Sequence, residues 1–299
     1  MPSKRNVRLV LSYDGTDFGG WQRQRNARSV QGELEGALER MHAHPVPTLG
    51  AGRTDSGVHA MGQVANFYTD IALIEAGRFL PALNKLLPRD IRVLCAEEAD
   101  FDFHARYDAR LRRYRYFVLC SPVVDPIRLR YAHHIRRRPD LASLNAAAAL
   151  VLGENDFTAF SSAKDVSASR SRFVHESAFR WEGDLLVYQV AANAFLWRMV
   201  RSLVGSMLHY EDRAADDVGC PAARCAELMG EALGSRDRKL AGPTAPARGL
   251  FLWNIEYYAN PTRPGRGDYW TKGRDAKAAD ADEDEPASEP RMVPGIGLV

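Results

Sequence analysis

Two hydrophobic rhythms alternate along this chain, and their alternation limits it to a sheet covered by helices. Val7, Leu9, Leu11 and Tyr13 recur at every second residue between Arg8, Val10 and Ser12, which predicts a strand ended by Asp14-Gly15. After a loop from Thr16 to Arg28 the spacing changes. Val30, Leu34, Leu38 and Met41 share one helical face, Ser29 is placed to cap it, and Pro45 and Pro47 stop it. Gly50 to Gly62 is glycine-rich and polar and reads as a loop. A strand at about 63–69, a helix at about 74–86 ahead of Pro88, and a strand at 91–95 follow.

The second half repeats the order. Arg115–Leu119 reads as a strand, and Leu141–Leu152 as an Ala-rich helix with Gly153 as its C-cap. Phe173, Ser177, Phe179 and Trp181 fall on one face of a strand. A turn at Glu182-Gly183-Asp184 joins that strand to Leu185–Ala191 as a hairpin. Asn193 is placed to cap a helix with the stripe Leu196, Met199, Val200, Leu203, Val204, Met207 and Leu208, and Gly249–Tyr257 reads as a last strand. The expected class is α+β, with residues 1–105 and 106–260 as two similar halves. Residues 261–299, rich in Pro, Gly, Ala and acids, are expected to be a disordered tail.

Charge is uneven. The 299 residues carry a formal net charge of +2, yet residues 101–140 hold ten Arg, four Asp and no Lys, while residues 261–299 carry a net −2. An Arg surplus interleaved with Tyr fits a nucleic-acid surface, or else a solvated face paired with carboxylates elsewhere. No apolar run approaches the roughly 20 residues of a membrane helix, and the N-terminus lacks a secretory apolar core, so a cytoplasmic protein is expected. Cys95, Cys120, Cys220 and Cys225 have neither zinc spacing nor histidine partners and read as reduced thiols. The phosphate-binding glycine loops of ATP and NAD proteins, H-E-x-x-H and G-x-S-x-G are all missing, which turns attention to carboxylate chemistry without metal or cofactor.

Three features could carry such chemistry. In AGRTDSGVHA, residues 51–60, Gly52 and Gly57 allow a tight turn around Arg53-Thr54-Asp55. Presented to a cleft and held ionised by cations, Asp55 could act as a nucleophile; the same turn could instead be an Asx-turn capping itself. In Arg112-Arg113-Tyr114-Arg115-Tyr116, the tyrosines share one strand face and Arg113 and Arg115 the other, so the rings could stack on unpaired bases or pack into the core. On the helix after Asn193, Arg198 falls opposite the apolar stripe and Arg201 at its margin, either to pair with a buried carboxylate or to reach solvent.

Taken together, YDGTDFGGWQRQ (13–24), SVQGELEGAL (29–38), AGRTDSGVHA (51–60), FHARYDARLRRYRY (103–116), LGENDFTAF (152–160) and NAFLWRMVRSLVG (193–205) resemble the bacterial tRNA pseudouridine synthase A family over about residues 7–258. The resemblance implies isomerisation of uridines 38, 39 and 40 in the tRNA anticodon stem-loop, by base flipping and without cofactor. It implies Asp55 as nucleophile, Arg201 as its ion-pair partner, and Arg53 as the residue that displaces the target base. It places Tyr114 against the uracil and Leu250 in the pocket lining. It further implies two similar halves whose largely antiparallel sheets join around a central basic cleft, and a homodimer in which one tRNA touches both subunits. Gly19-Gly20 and Trp197-Arg198 depart from the family pattern. A tRNA-binding chaperone would leave Asp55 among arginines without a purpose, and a glycosidase would want a second carboxylate near the motif.

Overall fold

The computed structural model describes residues 4–215 and 219–257. The expected tail at 261–299 and the boundary at 260 lie outside the described residues. Among the described residues are ten strands: β1 (Arg5–Tyr13), β2 (Thr48–Gly50), β3 (His59–Thr69), β4 (Ile91–Ala99), β5 (Ala109–Cys120), β6 (His133–Ile135), β7 (Gly153–Asp156), β8 (Ser171–Glu182), β9 (Leu185–Ala192) and β10 (Leu250–Tyr257). They form one sheet in the order β4-β1-β3-β10-β5-β9-β8-β7, with β2 added to β3 and β6 to β5. The β3–β10 and β5–β6 pairs are parallel and the others antiparallel. The α-helices among the described residues are α1 (Val30–His42), α2 (Phe79–Leu86), α3 (Leu141–Ala149), α4 (Met199–Ala214) and α5 (Pro221–Ser235). The chain is thus α+β, as its two rhythms predict.

Alternation decides which side chains meet the helices. Val7, Leu9 and Leu11 of β1, Phe67 of β3, Tyr116 and Val118 of β5, and Tyr188 of β9 belong to one buried cluster with Leu34 and Leu38 of α1, Phe79 of α2, Leu144 of α3, Leu203 of α4 and Met229 of α5. Residues of opposite parity, such as Phe117, Leu119 and Val187, form a smaller cluster on the other face. Burial of apolar side chains, roughly 1.5–3 kcal/mol for each fully buried Val, Leu, Ile, Phe or Met, supplies the main driving force against chain entropy. No described helix is long and apolar enough to cross a membrane.

Several local expectations need correction. The loop expected at 50–62 is shorter: Gly50 closes β2, and β3 starts at His59 because His59 and Ala60 pair with Phe251 and Leu252, far along the chain. The helix expected at 74–86 begins as a 3-10 turn at Ala76–Arg78. Pro81 has no N–H to give Gly77, so regular α geometry takes over only at Phe79. The helix after Asp140 stops at Ala149, where successive i→i+3 bonds tighten the chain, and Gly153 opens β7 instead of capping the helix. A β-bulge between Val174 and Glu176 reverses the alternation of β8, so Val174, not Phe173, joins Phe179 in the core. Asn193 does not cap α4. Its Oδ1 accepts from Phe173 N and Ala194 N, and the residue before α4 is Arg198.

The segment 243–245 docks tightly along α4. Ala245 N donates to Arg201 O at 3.0 Å, and Gly242 N donates to Ser206 Oγ at 2.9 Å. This approach requires a glycine at 205, because a Cβ there would overlap the Pro243 carbonyl. Gly205→Ala is expected to lower stability by about 1–3 kcal/mol despite the better helix propensity of alanine, measurable as a lower urea midpoint.

Candidate active site

Asp55 sits in the short turn between β2 and β3, and the surrounding chain determines how it is presented. Trp21 N donates to Thr54 O at 3.1 Å, Val58 N to Asp55 O at 3.1 Å, and Gly57 N and Ser56 Oγ to Phe18 O. Thr54 Oγ1 lies 2.8 Å from the Tyr13 hydroxyl in a buried hydrogen bond. The Phe18–Trp21 segment therefore wraps the turn. Gly20 makes this possible: its φ is +112°, and a Cβ would come within 2.5 Å of Thr54 O. The sequence predicts only a loop over 16–28; the glycine before Trp21, a residue that the fold buries, is the signal for the wrap.

The carboxylate of Asp55 is not engaged by the backbone N–H groups of its own turn. Its Oδ2 accepts from Arg201 Nη1 at 3.0 Å, with the two side chains 22% and 15% exposed. Arg201 Nε donates to Ala245 O at 2.8 Å, so the guanidinium is anchored on one side and paired on the other. The helix margin thus brings Arg201 to Asp55 across 146 residues of sequence.

Tyr114 is buried in β5, and the ring of Phe195 meets it edge-on at 5.0 Å. Burial raises the Tyr114 hydroxyl well above the usual tyrosine range, and the nearby Tyr13 and Asp55 push the same way, so it is protonated at neutral pH. Leu250 is buried at the start of β10, opposite Tyr116, while Leu252 lies opposite Tyr114. Tyr116 is a core residue whose hydroxyl donates to Pro246 O at 2.8 Å. Arg53 is exposed two residues before Asp55. The structure therefore brings Asp55, Arg201 and Tyr114 together, puts Leu250 on the neighbouring strand, and leaves Arg53 at the surface. The four cysteines are free thiols, and burial pushes Cys120 up to about 11 and Cys225 up to about 12.

The Arg-rich segment is used mostly inside the protein. Arg113 pairs with Glu176 and Glu256, Arg128 with Asp125 and Asp184, Arg130 with Asp14 and Asp17, and Arg137 with Glu211 and Asp212. Arg115 donates to Gln189 and covers the ring of Trp253 at 4.2 Å. Arg106 and Arg110, near the start of the segment, and Arg136 and Arg138, near its end, are exposed. Arg112 is the residue that sequence reasoning missed. It donates to the carbonyls of Ala109 (3.1 Å), Asn193 (2.6 Å), Ala51 (3.1 Å) and Arg106 (2.6 Å). One guanidinium thus ties the Asp55 turn, the Tyr114 strand and the approach to α4 together.

At the far end of the turn, Asp14 gathers four donors beside His59, whose Nδ1 accepts from Gly15 N. Thr16 N and Oγ1, Arg130 Nε and the Tyr131 hydroxyl bond to it, and buried His59 Nδ1 lies 3.2 Å away. Partial burial pushes its carboxyl up, but His59 and the bonds from Thr16 and Arg130 outweigh that and hold it far below the usual range.

The family model for tRNA pseudouridine synthase matches residues 9–108 and 147–258, the segments that carry Asp55, Arg201 and Leu250. The chain belongs to the tRNA pseudouridine synthase family and, with it, to the isomerases. Among its relatives are proteins named tRNA pseudouridine synthase A. That of Treponema denticola is 48% identical over 260 residues, 85% of this chain and 94% of the relative. That of Treponema pallidum is 45% identical over 250 residues, 81% of this chain and 85% of the relative. That of Acetivibrio thermocellus is 39% identical over 253 residues, 85% of this chain and all of the relative.

Two outcomes follow from this geometry. Arg112→Lys should cost about 2 kcal/mol in urea denaturation, because one ammonium cannot span four carbonyls and leaves some unsatisfied. Asp14→Asn should cost about 1–3 kcal/mol at pH 7. A depressed carboxyl stabilises the fold above its unfolded pKa, so the gap between wild type and Asp14→Asn should hold down to about pH 5 and shrink below about pH 4 in pH-dependent denaturation.

Proposed function

We propose that this chain converts uridine to pseudouridine at positions 38, 39 and 40 of the tRNA anticodon stem-loop, with Asp55 as the nucleophile. The observation that carries this reading is the ion pair of Asp55 with Arg201 beside a buried Tyr114. The names of its relatives support tRNA as the substrate.

The reaction is an isomerisation. The N1–C1′ bond breaks, the uracil turns, C5 bonds to C1′, and the proton lost from C5 is balanced by one gained at N1. It transfers neither electrons nor a phosphoryl group. What it requires is a carboxylate aimed at C1′, either attacking it or assisting departure of the base through a glycal-like species. Arg201 fixes the aim of that carboxylate, since its other donor is tied to Ala245 O. A paired nucleotide must leave its stack to reach Asp55, at a cost of a few kcal/mol. Arg53, exposed at the rim, takes the place of the flipped base. Tyr114 packs against the detached uracil so that it re-adds through C5, and Leu250 lines the pocket.

We read residues 1–105 and 106–260 as similar halves that meet around a basic cleft. In this reading a cytoplasmic homodimer binds one tRNA with both subunits. Asp55→Asn is expected to reduce pseudouridine formation by at least a thousandfold, measured by carbodiimide labelling of incubated tRNA, while tRNA affinity changes less than threefold. Turnover near the wild-type rate would remove Asp55 from the mechanism. Sedimentation with and without tRNA tests the dimer.

A further inference from the structure

Residues 193–198 lead from β9 into α4, and their two ends touch the site. Phe195 packs on Tyr114, and Arg201, one turn into the helix, pairs with Asp55. Trp197 and Arg198 stand between them, and both are exposed; Trp197 keeps 40% of its surface open to solvent while Trp21 keeps 3%.

Exposure here does not mean looseness. Trp197 N donates to Asp165 Oδ2 at 2.5 Å, and Trp197 O accepts from Ser162 N at 2.9 Å. Asp165 is fixed in turn, because its Oδ1 accepts from Ser167 N and its carbonyl from Arg170 Nη2. The backbone of Trp197 is therefore fixed at both its N–H and its carbonyl by the 162–170 loop, and this presents the exposed indole at the surface. Rigid, exposed aromatic faces are what an unpaired base stacks on.

Arg198 adds a second, independent observation. Its backbone lies in the left-handed region, φ +66° and ψ 6°, where an L side chain costs energy and glycine does not. Its side chain makes no capping bond, and among the described residues it has no carboxylate partner; its guanidinium lies 5.5 Å from the Trp197 ring. Most other arginines near the site are spent on carboxylates or carbonyls. Ala43 and Arg236 take the same left-handed conformation at helix ends, so what distinguishes Arg198 is an exposed guanidinium with no carboxylate partner among the described residues.

We infer that Trp197 and Arg198 form a subsite for an unpaired nucleotide flanking the reacting uridine. The indole stacks on its base and the guanidinium neutralises its phosphate. This rests on the pseudouridylation reading and adds to it which side of the site receives the loop strand: the α4 entrance.

The test uses the full chain with a tRNA transcript, comparing Trp197→Ala, Trp197→Phe and Arg198→Gly. Trp197→Ala should raise KM about five- to a hundredfold, the range expected for one lost base stack, with kcat within threefold. Trp197→Phe should restore most of the affinity. Arg198→Gly should melt at the wild-type temperature or above, yet bind more weakly and lower the slope of log affinity against log salt by about one. A purely structural role would not give a stable protein with that altered slope. Wild-type KM and salt slope in both Trp197→Ala and Arg198→Gly would overturn the subsite while leaving the pseudouridylation reading standing. If the wild-type chain made no pseudouridine, that reading would fail, and the same equilibrium-binding comparison would still decide the subsite.

Discussion

The structure depends on a short parallel contact, where Phe251 and Leu252 of β10 pair with His59 and Ala60 of β3. β10 fills the gap between β3 and β5 and turns strands from distant parts of the chain into one sheet. The Asp55 turn runs into β3, Tyr114 lies on β5, and Leu250 begins β10, so this seam sets the spacing of the site. Parallel pairing of so few residues is weak by itself. It is supported by stacking of His59 on Phe251 at 4.6 Å and by the hydrogen bonds that Asp14 collects around His59.

Arg201 reaches the seam from the helical layer. Its helix is shaped by residues that carry no charge: Gly205 admits the 243–245 segment, and that segment returns a carbonyl to the guanidinium. The pairing of Asp55 with Arg201 is thus supported on both sides by backbone, through Phe18–Trp21 around the turn and Ala245 against the helix. Such support keeps two ionised groups in one arrangement without relying on mobile surface side chains.

What could be read from the sequence was whatever is repeated locally. The stripes of α1 and α4 and the hairpin of β8 and β9 each rest on periodicity within about ten residues, and each is found near its expected place. The margin position of Arg201 was visible on a helical wheel, and the meeting with Asp55 gives that position a partner. Features that failed to show depend on partners remote in sequence. The early start of β3 needs β10, the bulge in β8 appears only through its register with β9, and the role of Asn193 comes from Phe173. Arg112 was hidden for the same reason. In a run of arginines it looks like its neighbours, and only the fold shows that it faces carbonyls while Arg113 faces carboxylates.

The binding mode of Arg112 has a consequence for how the protein tolerates change. All four of its acceptors are main-chain oxygens, at Ala51, Arg106, Ala109 and Asn193. Every amino acid brings the same oxygen, so substitutions at those four places cannot delete an acceptor as they would delete a carboxylate. The latch can drift at each of its catches and stay shut, and its vulnerability is concentrated in a single codon.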